Sequence, residues 1–165
     1  MTNSSQEQID EIFMQEALQL ACLAMEHGEI PIGAVIVQDD QIIGRGRNKR
    51  KECSSPLAHA EIEALNDAAK TLDNWRFDDA TIYVTLEPCV MCSAALVQSR
   101  IKRIVFGASD KKGGGCGSLY NIVQDERFYH NCSVMSGVLE TPCRKILQKF
   151  FKNKRKEAKD FTNIK

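Results

Sequence analysis

The sequence predicts an α/β protein in which helices cover a mixed β-sheet, and three observations support this fold class. Apolar residues recur at steps of three and four over 8–27 and 141–159, as they do in amphipathic helices. Short apolar runs with β-branched residues at 32–37, 81–86 and 101–108 have the composition of buried strands. The two kinds of pattern alternate along the chain, which is the order typical of layered α/β folds.

The first half of the chain carries clear helix and strand signals. The predicted elements are a helix over 8–27, strands over 32–37 and 41–46, a loop over 48–58 and a helix over 58–72. Gly28 is placed to end the first helix, because glycine is favoured just after a helix C-terminus. Asp39 and Asp40 lie between the two strands and predict a tight hairpin turn.

The second half continues the alternation. The predicted elements are a strand over 81–86, a helix over 89–99, a strand over 101–108, a glycine-rich loop over 109–118, a short helical piece over 120–124, a strand over 134–138 and a basic helix over 141–159. Pro88 stands where the first turn of a helix tolerates proline. Repeats and linkers are absent from the sequence, so we predict one domain over 1–165.

Composition excludes several classes of protein. The 165 residues are 43% hydrophobic and 27% charged, as in a globular domain, and no apolar run approaches the about 20 residues of a membrane span. Residues 1–8 lack the basic residues of a secretory signal. Seven cysteines, an odd number without regular spacing, indicate reduced thiols. We therefore expect a cytoplasmic protein without membrane contact.

The charges are unevenly distributed although the net charge is zero. Residues 1–40 contain eight Asp or Glu and no Lys or Arg, whereas 144–165 contain nine Lys or Arg and two acids, a balance of +7. Such a tail is either a solvated helix face or a contact with nucleic-acid phosphates. Charge alone leaves both interpretations open.

A His-x-Glu pair and a Cys-x-x-Cys pair carry the strongest chemical signal. His59, Cys89 and Cys92 are good zinc ligands, and three protein ligands leave a fourth position for water. Glu61 follows the histidine by two residues, where it can reach that water without binding the metal. The order of these residues matches the H-x-E…P-C-x-x-C signature of zinc nucleobase deaminases. We therefore predict a catalytic zinc site with Glu61 as general acid and base.

Each part of this motif also has a simpler interpretation. Cys-x-x-Cys alone is as typical of a redox pair as of a metal site, but Pro88 and the preceding His-x-Glu favour zinc. Glu61 alone could merely stabilise a helix N-terminus, yet its offset from His59 favours proton transfer. We expect Glu87 to be structural, with hydrogen bonds to backbone N–H groups near the metal, and the other five cysteines to be bystanders.

Two loop segments are less informative. The glycines at 113–115 do not form a phosphate-binding loop, because the Lys-Ser/Thr pair and the strand-to-helix context are missing. We interpret this segment as a mobile loop that can lie against a substrate. Asn48 follows the second strand, and the residues alone leave both a structural and a functional role open.

With these residues in place, the chain resembles the bacterial tRNA-specific adenosine deaminases of the cytidine deaminase-like superfamily over roughly 8–156. The matching stretches are 29–35 and Asn48, 58–62, 83–92, 99–101, 105–108, 117–119, and Phe150–Phe151 with the basic residues after it. This length discriminates better than the zinc signature, which many base deaminases share.

The resemblance implies a three-layer α/β/α sandwich with a mixed five-stranded sheet, and a homodimer whose partner helps to complete the site. It implies one Zn²⁺ per subunit and deamination of adenosine to inosine at the wobble position of an arginine tRNA with an ACG anticodon. It places Asn48 at a base-contacting position and Asp110 on a loop near the flanking ribose. The basic tail is then interpreted as a contact with phosphates of the tRNA anticodon stem-loop.

Three other functions fit parts of the sequence. A deaminase of free guanine, cytosine or a pterin-like precursor would share the scaffold but has little use for the +7 tail. A zinc-stabilised RNA-binding module without activity would not need Glu61. A thiol–disulfide oxidoreductase would use the Cys-x-x-Cys pair and keep its activity in the presence of a chelator.

Overall fold

The computed structural model describes residues 3–162, and the side chains over 5–160. Within this range the elements are α1 (Asn3–Glu26), β1 (Gly33–Gln38), β2 (Gln41–Arg47), α2 (Ala60–Leu72), β3 (Thr81–Leu86), α3 (Val90–Gln98), β4 (Arg103–Ala108), β5 (Ser133–Ser136) and α4 (Glu140–Thr162). Except for the short piece over 120–124, these are the predicted elements in the predicted order, with shifted ends. None of the described helices is long and apolar enough to cross a membrane.

The strands of the described part form one mixed sheet in the order β2-β1-β3-β4-β5. β1 runs antiparallel to both of its neighbours, whereas β3, β4 and β5 run parallel to one another. Asp39 and Asp40 join β1 to β2 with φ angles of 51° and 57°, as a two-residue turn of type I′ requires. The predicted mixed sheet and the predicted hairpin are therefore confirmed.

Helices cover both faces of the sheet and complete three layers. The inward side chains of α2 and α3 pack with Ile36, Ile82 and Ile104 on one face. Those of α1 and α4 pack with alternate residues of the same strands, such as Val35 and Val105, on the other face. The predicted α/β/α sandwich is confirmed.

Helix α2 approaches β2 closely because Gly46 has no side chain. A Cβ atom on Gly46 would lie 2.0 Å from the carbonyl oxygen of Ala60 and 2.4 Å from the backbone nitrogen of Ala64. Any larger residue would push the start of α2 away from the sheet. His59 directly precedes this turn, so the glycine determines where the histidine stands.

Two predictions in the last third of the chain are wrong. Residues 120–124 are not helical, because Asn121 forms an antiparallel bridge with Cys116 and the N–H of Ile122 donates to the carbonyl of Gly115 at 2.9 Å. These bonds use the backbone groups that a helix would need, and so short a helix is marginal by itself. β5 ends before the predicted limit because Gly137 turns the chain with φ 85°.

A buried ion pair joins α1 to the sheet. The Asp10 carboxylate accepts two hydrogen bonds from the Arg103 guanidinium, each 2.7 Å long, and one from the Tyr83 hydroxyl at 3.0 Å. Burial by itself raises the pKa of Asp10, but the bonds from Arg103, Gln6 and Tyr83 together outweigh it and hold this pKa below its ordinary value. The first helix is thereby attached to β3 and β4.

Replacing Asp10 by alanine should lower the free energy of unfolding by about 2–3 kcal/mol at about pH 7, because Arg103 loses its counter-ion. The lowered pKa means that the stabilising contribution is complete above the ordinary aspartate pKa of about 3.9 and is lost as the pH falls through the folded-state pKa. Urea unfolding of both proteins at about pH 7 and about pH 3 measures this difference.

Asp78→Ala is the matched control, since the ion pair between Asp78 and Arg76 is exposed and should contribute little. A difference between Asp10→Ala and wild type that stays constant over both pH values would contradict the role of the Asp10 charge.

Candidate active site

The three predicted metal ligands meet between the first turns of α2 and α3. His59 is the residue before α2 and Cys89 the residue before α3, both with extended backbone. The Nδ1 atom of His59 lies 3.6 Å from the Sγ of Cys89 and 3.6 Å from the Sγ of Cys92. In the part of the chain that the structure describes, this is the group of His, Cys and carboxylate residues whose ligand atoms lie within 4.8 Å of one another.

These separations fit a zinc ion. Zinc binds thiolate sulfur at about 2.3 Å and imidazole nitrogen at about 2.0–2.1 Å, and tetrahedral angles then place the two kinds of atom about 3.6 Å apart. The observed distances of 3.6 Å equal that value. The three side chains are therefore a ligand set already in position for a metal with one further coordination site.

The surroundings shift the pKa values of the two thiols in opposite directions. The hydrogen bond with Cys92 lowers the pKa of Cys89 to about 4, and the bond with His59 adds to this effect. The pKa of Cys92 is raised by its bond with Cys89 and by burial, while that of His59 is raised mainly by its bond with Cys89. Cys89 thus carries the negative charge, next to a helix N-terminus that stabilises thiolate. A divalent cation would bind both residues as thiolates.

Glu61 is buried beside this cluster. It is the second residue of α2 and its exposed fraction is 4%. Burial raises the pKa of Glu61 to about 7, and the charge on Cys89 also acts in this direction. A carboxyl group with a pKa near neutrality can accept and return a proton at physiological pH. A cation held by the neighbouring ligands would lower this pKa again.

Glu87 organises the glycine-rich loop next to the metal ligands. Its buried carboxylate accepts hydrogen bonds from the N–H groups of Asp110 at 2.9 Å, Cys116 at 3.2 Å and Ser118 at 3.0 Å, and from the Ser118 hydroxyl at 2.5 Å. The expectation that Glu87 is structural and bonds backbone N–H groups is confirmed. These bonds connect the loop to the end of β3, and its mobility stays a prediction.

The absence of a side chain at Gly114 permits this packing. A Cβ atom there would lie 2.4 Å from the carboxyl carbon of Glu87. Gly114 also forms an antiparallel bridge with Cys89, and the N–H of Gly115 donates to the carbonyl of Pro88 at 2.8 Å. The loop and Cys89, a predicted metal ligand, are therefore connected directly by backbone hydrogen bonds.

A cavity of about 380 Å³ opens at the loop between β2 and α2. Its wall is formed by Glu29, Ile30, Asn48, Arg50, Lys51, Ser54, Ser55 and Pro56. The N–H of Lys49, the neighbour of Asn48, donates to the carbonyl of Ala58, the neighbour of His59, at 2.9 Å, so this part of the wall lies close to the start of the predicted ligand set. The structure thus brings Asn48 to the wall of a cavity beside the predicted site, where its side chain is almost fully buried.

Asp110 has different surroundings. Its Oδ1 atom accepts hydrogen bonds from the N–H groups of Lys112 at 3.0 Å and Gly113 at 3.2 Å, so the carboxylate stabilises its own loop. Among the described residues it does not belong to the wall of the cavity. A contact between Asp110 and a substrate stays a prediction.

Three charged residues of the cavity wall were not singled out as site residues from the sequence. Arg50 and Lys51 place positive charge at the cavity, and Glu29 is buried behind it. A charged residue between Gly28 and the apolar residues that lead into β1 was the available signal for Glu29. The two cations stand in a loop rich in such residues, where sequence alone does not distinguish them from solvated neighbours.

A sheet covered on both faces, with His-x-Glu at the start of one helix and Cys-x-x-Cys at the start of the next, defines a base deaminase of the cytidine deaminase-like class. The family of MafB19-like deaminases matches residues 8–155. A tRNA-specific adenosine deaminase of Bacillus subtilis (strain 168) is 49% identical over 150 residues, which cover 91% of this chain and 93% of the relative. The chain belongs to the family of the tRNA-specific adenosine deaminases.

Solved structures agree with this assignment. A structure from studies of A-to-I editing by tRNA:A34 deaminases at the wobble position of transfer RNA superposes with a TM-score of 0.79 and 41% identity, covering 82% of this chain and 98% of that one. A guanine deaminase from Nitrosomonas europaea reaches a TM-score of 0.74 at 22% identity, over 85% of this chain and 83% of the other. The similarity to the guanine deaminase shows only that the two proteins share a fold.

Proposed function

We propose that this chain is a zinc-dependent hydrolytic deaminase that converts adenosine to inosine at the wobble position of an arginine tRNA with an ACG anticodon. The observation that carries the proposal is the set of His59, Cys89 and Cys92 with ligand separations suited to zinc, beside the buried Glu61. The 49% identity to a tRNA-specific adenosine deaminase supports the substrate. The reaction supports decoding, because inosine replaces adenosine in the anticodon, and its place is the cytoplasm.

The chemistry follows from the position of Glu61. When bound, zinc supplies a water whose pKa is lowered toward about 7. The Glu61 carboxylate would take one proton of the attacking water and deliver it to ring N1 as the water oxygen bonds to C6 of the base. The same carboxyl group passes the second proton to the amine, which leaves as ammonia. Its burial beside the predicted ligands keeps the carboxyl group away from bulk water, where it can exchange protons with the substrate.

The cavity beside the ligands supports a nucleotide as substrate. Its volume is about 380 Å³, and Arg50 and Lys51 supply positive charge at its wall. Asn48 offers a side-chain amide for a base, as the family resemblance implies. A base in a hairpin loop is already unpaired, so its entry into such a cavity needs less energy than extrusion from a duplex.

The basic end of α4 supports an RNA partner rather than a free base. All side chains over 151–160 are exposed, and this segment contains five Lys or Arg and two acids. Exposed cations that do not hold the core together remain available for phosphates. We assign this face to the tRNA anticodon stem-loop.

A homodimer completes the proposal. An apolar groove of about 480 Å³ on the side of α2 and α3 contains Leu65, Ala69 and Phe77, and Trp75 at its edge is 62% exposed. Aromatic residues with this exposure are typical of the core of protein interfaces. We assign the groove to a second copy of the chain, in agreement with the resemblance.

The rival functions are less well supported by the site. A free-base deaminase shares the fold, but at 22% identity the guanine deaminase from Nitrosomonas europaea gives no support for its substrate here. A zinc-stabilised RNA-binding module would leave the buried Glu61 without a purpose. A thiol–disulfide enzyme would not need the His59 nitrogen at 3.6 Å from both sulfur atoms.

Zinc-loaded protein should form inosine in an arginine tRNA anticodon stem-loop with an ACG anticodon, and should leave free adenosine, guanine and cytidine unchanged. Glu61→Gln should lower kcat by about 100-fold to 10,000-fold, the usual contribution of a general acid–base group, while its zinc content stays that of wild type. Cys92→Ser should lose both zinc and activity. Nucleoside analysis and metal analysis provide the two measurements.

An active Glu61→Gln enzyme would refute the proton-transfer role. Turnover of a free base by a protein that leaves the stem-loop unchanged would support the deaminase reaction and contradict the proposal that tRNA is its substrate.

Neutralising the exposed cations of α4 in the double variant Lys152→Ala/Lys156→Ala should raise KM for the stem-loop and leave kcat unchanged. The slope of log(kcat/KM) against log[salt] should become shallower by about 0.7–0.9 for each lost phosphate contact. The control variant Lys102→Ala/Arg127→Ala removes two exposed cations elsewhere and should leave the slope as it is. Equal salt slopes for all three proteins would speak against α4 as the RNA contact.

Trp75→Asp should convert the protein to monomers, because a carboxylate would be buried without a partner in the proposed interface. Sedimentation equilibrium should give the mass of two chains for wild type and of one chain for the variant. Trp75 is largely exposed in a single chain, so the variant should keep its fold by circular dichroism. A wild-type protein of one-chain mass at micromolar concentration would contradict the dimer.

A further inference from the structure

Glu29 is a buried carboxylate at the cavity that the mechanism above does not use. Its exposed fraction is 1%, and it follows Gly28 in the turn between α1 and β1. Its Oε1 atom accepts hydrogen bonds from the N–H groups of Lys51 at 2.7 Å and Glu52 at 2.9 Å. A buried carboxylate is unfavourable unless it is hydrogen-bonded, so these two N–H groups hold the loop and the glutamate together.

The loop is held at a second point as well. The Lys51 ammonium group donates to the carbonyl oxygen of Gly28 at 3.3 Å. Lys51 therefore contacts this turn with both its backbone and its side chain. The cavity wall beyond β2 is thus attached to residues about twenty positions earlier in the chain.

The second oxygen of Glu29 faces the amide of Asn48. Oε2 accepts a hydrogen bond from Nδ2 of Asn48 at 3.5 Å, and the Asn48 backbone N–H donates to the carbonyl of Ile32 at 3.0 Å. A carboxylate can only accept hydrogen bonds, so the NH₂ end of the amide is the end that must face it. The Oδ1 end is then directed away from Glu29, and the structure gives it no hydrogen-bond partner among the described residues.

We propose that Glu29 is a positioning residue that holds the Asn48 amide in one orientation and thereby presents its oxygen to the base in the cavity. The proposal rests on the proposed function for the identity of that base. Glu29 contacts neither the predicted metal ligands nor Glu61 through any hydrogen bond of the described residues. Its effect on the reaction therefore passes through Asn48.

Glu29→Gln separates the hold on the loop from the hold on the amide. The glutamine oxygen can still accept from the N–H groups of Lys51 and Glu52, which turns its NH₂ group toward Asn48. Two NH₂ groups cannot hydrogen-bond to each other, so the Asn48 amide has to rotate. The variant keeps the fold of the loop and changes which atom Asn48 offers to the base.

The first test is a double-mutant cycle on the full-length, zinc-loaded protein with the anticodon stem-loop as substrate. Glu29→Gln should lower kcat/KM by about tenfold, the effect of one misplaced hydrogen bond. Asn48→Ala should cause a similar loss. The kcat/KM of the double variant should be no lower than that of the less active single variant, because both changes act on the same contact. Glu26→Gln, an exposed glutamate at the end of α1, is the matched control and should have the activity of wild type.

The second test needs no substrate. The side-chain NH₂ resonances of Asn48 in a ¹⁵N-labelled protein should shift in Glu29→Gln and stay unchanged in Glu26→Gln, at equal zinc content and equal Tm. If Glu29→Gln does not fold, Glu29→Asp, which keeps both acceptor oxygens but withdraws them, should show the same shift and the same coupling to Asn48.

Independent, additive losses in the double variant, or Asn48 resonances that do not respond to Glu29, would overturn the inference. A wild-type protein without deaminase activity would contradict the proposed function instead. The Asn48 resonances would then still show whether Glu29 orients the Asn48 amide.

Discussion

The meeting of one imidazole and two sulfur atoms between the starts of two helices is the constraint on which the rest of the structure depends. The 3.6 Å separations require that α2 and α3 begin at the same edge of the sheet and lie on the same face. β3 leads into α3 there, and the closing strand of the hairpin leads through a loop to α2. Gly46 then sets the height of α2 above the sheet, since the helix backbone rests almost directly on it. The order of the strands and the hairpin between β1 and β2 therefore determine where these few side-chain atoms lie.

The same edge of the sheet contains two buried carboxylates with parallel tasks. Glu87 gathers the N–H groups of the glycine-rich loop on one side, and Glu29 gathers those of the loop after β2 on the other. Hydrogen bonds to an ionised acceptor are stronger than neutral ones, so a single glutamate can hold several residues of irregular backbone. Each loop is held by hydrogen bonds to a glutamate and not by a helix or strand. The shape of its surface can therefore differ from that of regular secondary structure and fit a substrate.

Local patterns in the sequence predicted the parts of this arrangement that local physics determines. The spacing of His59 and Glu61 and of the two cysteines requires only a helix start, so it could be interpreted directly. The expected helix at 120–124 failed because its backbone groups pair with residues 115 and 116 instead. The role of Glu29 was not predicted for a related reason. Its hydrogen-bond partners lie up to 23 residues away, and because they are backbone N–H groups, no residue type in the sequence indicates them.

The exposure of α4 over 151–160 has a consequence for how this chain can change. Side chains that no neighbour encloses contribute little to the free energy of folding, so substitutions there are largely free of structural penalty. Around the predicted metal ligands, in contrast, there is no room for a methyl group at Gly46 or Gly114. If α4 contacts RNA as proposed, natural drift or design could alter which RNA the protein approaches without disturbing the residues around the predicted metal ligands.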